Sequence, residues 1–418
     1  MFLNILYYKI NIIDIVITKD NINRIKSVAE KMEEQNIVLS CEDLCIDDDD
    51  INVSFPDEYD TIIYDMADFL VYIDDLQSIK KVNQSTVRSS LVRQSIINVD
   101  EFAFDKLNMR QDVIVKEGIC RIRLVSHPFL IGYINSIEGN YDDNYGLMPC
   151  SLYYAVEIIY EKLDVLLPEE EEDKLLKSAL FYWSTKYSQS LTFGTILTYD
   201  DLEYQDEDDD GVTDICLINI EEILPYSPLM DMYVEAMGVK DLSVKFLYFY
   251  KIIEYISPLV AKRRSYELLS QKLDLPYSNK QSYKYLESIF VLTREYDISL
   301  KDSELPYTVL NECIDIIQLY IYLPQSIQKR CSKSFNYPNT LELENPFPNE
   351  KQNQIKRKVA DILYATRNSI VHAKSNYQAT GNECNSDDLE QMTTFLDKLC
   401  LCLISWNNRQ SDLYKKDL

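Results

Sequence analysis

The sequence predicts a mostly α-helical protein in which an α+β domain precedes a C-terminal bundle of helices. Beyond residue 230, long segments place apolar residues at helical spacing and are separated by loops that contain proline or glycine, as is typical of helix bundles. The first part of the chain instead combines short Ile-, Val- and Tyr-rich stretches with one amphipathic segment, which favours mixed structure. Only 8 glycines occur in 418 residues, and none forms the glycine-rich motif of a P-loop or Rossmann nucleotide site.

Residues 1–145 are expected to form the α+β domain. A strand is predicted over 2–18, a helix over 21–34 with Asp20 as its cap, and a short strand at 37–39. The acidic run at 47–50 lacks the glycine and glutamate positions of an EF-hand, so a solvated turn is predicted rather than a calcium site.

Residues 146–230 are expected to form a helical connecting region. The segment 151–167 reads as an amphipathic helix capped by Ser151, and a second helix is predicted over 169–188, where acidic residues suit the N-terminus. Pro225 and Pro228 mark the boundary before the bundle.

Residues 231–418 are expected to form the bundle. Long helices are predicted in five places, with Pro324 ending or kinking the third of them. The predicted helices cover 241–259, 280–296, 307–329, about 350–372 and 387–406, and residues 337–348 are predicted to be a loop.

Charge and cysteine usage limit the classes of function. The net charge of −27 opposes nucleic-acid binding in general. Residues 326–374, however, contain nine basic and four acidic residues, so this stretch is locally basic. Within it, the candidate RNA-binding residues are Lys356, Arg357, Lys358 and Lys374, with an ordinary solvated face as the alternative for the first three.

Ten cysteines and two histidines show no metal-binding spacing, so no metal or cofactor is expected. The N-terminus lacks the apolar run of a signal peptide, and no apolar span is long enough to cross a membrane. A cytoplasmic protein without membrane contact is therefore expected.

The stretch ATRNSIVHAK at 365–374 contains one of the two histidines. It ends an amphipathic segment whose apolar stripe is formed by Ile355, Val359, Ile362, Leu363 and Ile370. Arg367, Asn368 and His372 place a fixed cation, an amide and a titratable imidazole near one helix end, which suits phosphodiester binding and proton transfer.

The other histidine, His127, lies in a different context. It follows the alternating sequence RIRLV and precedes Pro128, so it is interpreted as a strand-end or loop residue.

The sequence RNSIVH at 367–372 resembles the Arg-Asn-x-x-x-His motif of HEPN domains, an all-α family of ribonucleases and toxins. The aromatic segment KFLYFYKIIEYI at 245–256 is similar to the first helix of one bacterial branch of that family. The resemblance covers roughly residue 235 to the C-terminus. It implies a metal-independent endoribonuclease acting as a toxin or anti-phage defence effector. In that role Arg367 holds the phosphate, His372 is the general acid or base, and Asn368 orients either the pair or the ribose.

The resemblance also implies a homodimer with a shared cleft. On an ideal helix Arg367 and His372 point about 140° apart, so one copy does not easily converge on one phosphate. The domain of residues 1–145 is then expected to sense or bind a regulatory or trigger protein. Glu254 is either a cleft residue or a surface ion-pair partner.

Two other functions remain open from the sequence. One is a catalytically inactive HEPN-like dimerisation or regulatory module, in which Arg367 and Asn368 only cap a helix and support a dimer interface. The other is an acidic nucleic-acid mimic that binds a basic protein.

Overall fold

The computed structural model describes residues 17–41, 44–46, 48–58, 61–74, 76–99, 112–142, 144, 146–196, 216–274, 282–335, 349–372 and 378–411. The chain divides into two compact units, Met1–Ile223 and Leu224–Leu418. Helices predominate over strands, so the mostly α-helical fold class is confirmed. Among the described helices, none combines the length and apolar character needed to span a bilayer. The predicted strand at 2–18 and the loop at 337–348 lie almost wholly outside the described residues.

The first unit contains four helices and two antiparallel-rich sheets in its described part. The helices are α1 (Lys19–Glu33), α2 (Met66–Tyr72), α3 (Phe129–Glu138) and α4 (Glu169–Tyr187). The strands are β1 (Val38–Leu39), β2 (Asp50–Ser54), β3 (Ile62–Asp65), β4 (Lys80–Lys81), β5 (Thr86–Arg88), β6 (Val92–Asn98), β7 (Asp112–Lys116), β8 (Cys120–Ser126), β9 (Tyr154–Tyr160), β10 (Thr192–Phe193) and β11 (Cys216–Asn219).

Strands β1, β2 and β3 form a small sheet, and the other described strands form the main one. The main sheet has the order β11–β7–β8–β9–β6–β5–β4, and β10 pairs with the end of β6. Neighbours are antiparallel except for β11 and β7, which run parallel. The long strand β9 therefore lies in the middle of the sheet, between β6 and β8.

Strand β9 corrects the predicted helix over 151–167. All seven of its residues are buried, because one sheet face packs against α4 and the other against the core formed with α2, α3 and the small sheet. A strand covered on both faces is apolar throughout, so its periodicity does not distinguish it from a buried helix. The chain divides between residues 223 and 224, inside the region 146–230 for which a helical connecting region was predicted. The helix predicted over 169–188 is confirmed as α4.

The sheet face toward α2 and α3 carries a buried polar network centred on Glu157. Glu157 lies opposite Arg123 on β8 and opposite Gln94 on β6, and it is 0% exposed. Its carboxylate accepts hydrogen bonds from Arg123 Nε at 2.7 Å, Gln94 Nε2 at 2.6 Å and the Tyr72 hydroxyl at 2.8 Å. Three donors satisfy a carboxylate that would otherwise be strongly unfavourable in a core.

Asp68 on α2 completes this network. It pairs with Arg121 Nη2 at 2.5 Å and with Arg123 Nη1 at 2.6 Å. Burial alone raises the pKa of Asp68, but the nearby charges of Arg123 and Arg121 outweigh burial and lower it. The network joins α2 to the sheet through charge-assisted hydrogen bonds.

The opposite sheet face carries a second buried ion cluster, centred on Glu172 of α4. Glu172 is 0% exposed and accepts two hydrogen bonds from Arg88, at 2.9 and 3.0 Å, and one from Arg93 at 3.0 Å. The Tyr160 hydroxyl donates to the same carboxylate at 2.6 Å. These bonds join α4 to β5, β6 and β9.

The second unit is a bundle of helices in its described part. Its helices are α5 (Pro228–Gly238), α6 (Leu242–Leu273), α7 (Tyr283–Ser299), α8 (Leu305–Cys313), α9 (Ile316–Leu319), α10 (Gln325–Phe335), α11 (Asn349–Val371) and α12 (Leu389–Asn408). Helix α6 contacts α5, α7, α8, α11 and α12. This packing buries Phe246, Phe249, Ile252, Ile253 and Ile256, so α6 is the central helix of the bundle.

Two of the predicted helices in this unit are corrected. Helix α6 continues through Pro258 to Leu273, beyond the predicted end at 259, because packing on several helices compensates for one missing backbone hydrogen bond. The predicted helix 307–329 is instead three shorter helices. Asp315 caps α9 by accepting a hydrogen bond from the backbone of Ile317, and Leu323 adopts an extended conformation before Pro324.

Candidate functional site

The helix predicted over about 350–372, which contains the RNSIVH motif, is α11, and it ends at Val371. Ile355, Val359, Ile362 and Leu363 are all buried, so most of the predicted apolar stripe faces the core. Ile370 is half-buried. Contacts with α6 and α8 orient the helix so that Arg367 and Asn368 emerge at its partly exposed side.

Arg367 has two side-chain neighbours among the described residues. Its Nη2 lies 3.3 Å from Glu254 Oε1 on α6, and its Nη1 donates to Asn368 Oδ1 at 3.2 Å. The side chains of Arg367 and Glu254 are 31% and 40% exposed, so solvent reaches the pair. A guanidinium has five N–H donors, and the two contacts therefore orient Arg367 without using all its hydrogen-bonding capacity.

Tyr250 lies on α6, one helical turn before Glu254. It is 2% exposed. Burial and the charge of Glu254 raise the pKa of Tyr250, Arg367 opposes that increase, and Tyr364 and Asp302 raise it further. Tyr250 therefore stays a neutral phenol.

His372 follows the last residue of α11 and is exposed. Its backbone N–H donates to the carbonyl of Asn368 at 3.0 Å, which continues the helical hydrogen-bonding pattern by one residue. The imidazole is accessible at the surface of the unit rather than buried among aliphatic side chains.

Three of the four candidate RNA-binding cations contact other residues of the second unit. Lys356 is buried and donates to the carbonyl of Asn311 at 3.2 Å. Burial lowers the pKa of Lys356. Lys358 donates to Asn382 Oδ1 at 2.8 Å. Lys374 lies outside the described residues.

Arg357 is the most strongly engaged of these cations. It makes a bidentate ion pair with Glu304, in which Nη1 donates to Oε2 at 2.5 Å and Nη2 donates to Oε1 at 2.8 Å. It also approaches Asp361 at 3.3 Å, and its guanidinium lies 5.1 Å from the ring centre of Tyr307. The hydrogen bonds from Arg357 lower the pKa of Glu304. Lys356, Arg357 and Lys358 thus help to hold α11 against neighbouring parts of the second unit.

The sequence singled out Arg367, Asn368 and His372 as candidates but not Tyr250, which lies on α6 near the Arg367–Glu254 pair. Tyr250 and Glu254 are four residues apart on a helix and therefore share a face, which was a usable signal.

His127 lies in the first unit, just after β8, as predicted. Its backbone has φ of 52°, an uncommon left-handed conformation for a non-glycine residue. Its N–H donates to the carbonyl of Tyr153 at 3.2 Å, and its own carbonyl accepts from the Tyr64 hydroxyl at 2.8 Å. These bonds hold the turn between β8 and α3.

Among the described residues, no group of three or more His, Cys, Asp and Glu side chains is placed to hold a metal ion. Comparison of the chain with family models, curated proteins and solved structures yields no match to any of them.

Proposed function

We propose that this protein is a cytoplasmic, metal-independent endoribonuclease of the HEPN type that acts as a toxin or anti-phage defence effector. The observation that carries the proposal is the arrangement at the end of α11. The Arg367 and Asn368 side chains are hydrogen-bonded to each other, and an exposed His372 follows one turn later. An oriented cation and an accessible imidazole, completed by those of a second copy, are suited to phosphodiester cleavage.

In the proposed reaction the ribose 2′-oxygen bonds to phosphorus, and the bond from phosphorus to the 5′-oxygen of the next nucleotide breaks. A neutral imidazole accepts the proton of the 2′-hydroxyl, and an imidazolium donates a proton to the leaving 5′-oxygen. Arg367 binds the non-bridging oxygens and stabilises the charge that develops on them. Asn368 restrains the guanidinium.

Two protonation states of imidazole are needed, and each chain supplies one histidine at this position. A homodimer provides both, with one copy of His372 as base and the other as acid. We therefore propose RNA as the substrate, a symmetric dimer as the active form, and the first unit as the part that responds to a regulatory or trigger protein.

The test is incubation of the purified full chain with total RNA in the presence of EDTA. The wild-type protein is expected to produce fragments ending in 2′,3′-cyclic phosphate. Arg367→Ala and His372→Ala are each expected to reduce the rate by about 100-fold or more. Arg264→Ala is the matched control, because Arg264 is an exposed arginine of the same unit, paired with Glu312. Cleavage that persists unchanged in both site variants rejects the assigned roles.

A catalytically inactive regulatory module is the second candidate. The Arg367–Glu254 ion pair favours it, since a neutralised arginine also suits a purely structural role. Two results would support this function instead: a folded wild-type dimer that does not cleave RNA, and a lower free energy of unfolding in Arg367→Ala.

A further inference from the structure

Helix α7 has an apolar surface that the described part of the chain does not cover. Its one fully buried residue is Tyr285. On the opposite side, large apolar side chains lie within an arc of about 140°. They are Tyr283, Leu286, Phe290, Val291 and Ile298, with exposures of 81%, 52%, 73%, 47% and 43%. Contiguous exposed apolar surface of this kind marks an interaction site.

Three charged residues, Glu287, Arg294 and Asp297, lie in the same arc, and the first two limit which partner fits. Glu287 and Arg294 are both exposed, and neither makes an ion pair with another described residue. They are seven residues apart, so nearly two helical turns separate them on one face. The midpoint between them falls between Phe290 and Val291.

We infer that α7 docks against α7 of a second copy of this chain, antiparallel, about a two-fold axis between Phe290 and Val291. In this arrangement each Glu287 lies opposite the partner's Arg294, because both are equally distant from the axis. A parallel arrangement would instead place Glu287 opposite Glu287 and Arg294 opposite Arg294. The charges therefore select the antiparallel pair and favour a second copy over an unrelated partner.

The apolar residues provide the interface area. A buried aromatic side chain covers about 150–250 Å², so two copies each of Tyr283 and Phe290 account for roughly 500 Å² or more. Leu286, Val291 and Ile298 from both copies bring the total toward the ~1,000 Å² expected of a specific interface. The surface shares no residue with the Arg367 site, so it is a self-association surface separate from the proposed shared cleft, and the inference does not depend on ribonuclease activity.

Sedimentation velocity of the full chain over a range of concentrations tests this interface through charge reversal. The wild type is expected to be a dimer at micromolar concentration. Glu287→Arg alone and Arg294→Glu alone are each expected to weaken the dimer by tenfold or more, because each creates like-charge pairs. The double variant Glu287→Arg/Arg294→Glu is expected to return to within about threefold of wild type, since the pairs are restored in reverse.

Glu295→Arg is the matched control, because Glu295 is an exposed residue of the same helix that lies about 100° from the centre of the arc. It is expected to leave the dimer unchanged. A wild-type chain that stays monomeric at 100-fold higher concentration overturns the inference. So do single variants that dimerise as wild type does, or a double variant that fails to recover.

Discussion

The guanidinium of Arg367 lies 3.3 Å from the carboxylate of Glu254, and these residues come from different helices of the second unit. The pair orients Arg367, but Glu254 also neutralises the charge that a phosphate needs. In the proposed ribonuclease, a phosphate would therefore bind Arg367 next to the carboxylate of Glu254.

Glu254→Gln is expected to tighten RNA binding. Removing one negative charge next to Arg367 eliminates an exposed ion pair worth about 0.2–1 kcal/mol, so affinity should rise by up to about fivefold. The measurement is the dissociation constant for a short RNA at fixed low salt, in a His372→Ala background that prevents cleavage. Glu267→Gln on the same helix is the control, because Glu267 is exposed and pairs with Arg263. Equal or weaker binding by Glu254→Gln would contradict a phosphate-binding role for Arg367.

Arg357→Ala is expected to reduce the stability of the second unit. Arg357 holds Glu304 with two hydrogen bonds and lies over Tyr307, but both charged groups are partly exposed. A double-mutant cycle with Glu304→Ala should give a coupling free energy of about 0.5–1 kcal/mol in urea unfolding. Zero coupling would contradict a stabilising role for the Arg357–Glu304 pair.

Glu157→Ala is expected to destabilise the first unit strongly. It leaves Asp68 as the one carboxylate shared by the buried Arg121 and Arg123 and removes the acceptor of Gln94 and Tyr72, at a cost of about 3–5 kcal/mol. The measurement is the free energy of unfolding in urea. Asp74→Ala is the comparison, since Asp74 and Arg24 form an exposed ion pair worth less than about 1 kcal/mol. Similar decreases in the free energy of unfolding in Glu157→Ala and Asp74→Ala would show that burial does not determine the strength of this network.

The stabilisation provided by Asp68 is expected to be lost in acid. Because its pKa is lowered in the folded state by Arg123 and Arg121 despite burial, its ionised form contributes full stability above the unfolded pKa of about 3.9. That contribution disappears as the pH falls through the lower folded pKa. The difference in unfolding free energy between wild type and Asp68→Asn should therefore narrow between pH 5 and pH 2.

Asp164→Asn is the control for this pH series, because Asp164 is exposed. A surface substitution of this kind changes stability by no more than about 0.5 kcal/mol. A difference in unfolding free energy between wild type and Asp68→Asn that stays constant down to pH 2 would contradict a stabilising role for ionised Asp68.

Local sequence patterns determined several features by themselves. The spacing of Ile355, Val359, Ile362 and Leu363 identified α11, its buried face and its end near His372, because helical periodicity is set by neighbouring residues. The acidic N-terminus after Pro168 identified α4 for the same reason. His127 was identified as a turn residue from the alternation of β8 and from Pro128.

Tertiary packing alone decided the features that depend on distant partners. The stretch 154–160 became a central strand because both its faces are covered, and that environment is not encoded in its own periodicity. The ion pair of Arg367 with Glu254, and the burial of Tyr250 beside it, required α6 and α11 to meet. Lys356 and Arg357 read as free surface cations in the sequence, but packing brought Asn311 and Glu304 to them. The sequence by itself thus determined the positions of α4 and α11 and the apolar face of α11. The tertiary structure decided which stretches pair as strands and which charges meet, because both depend on distances between segments far apart in the chain.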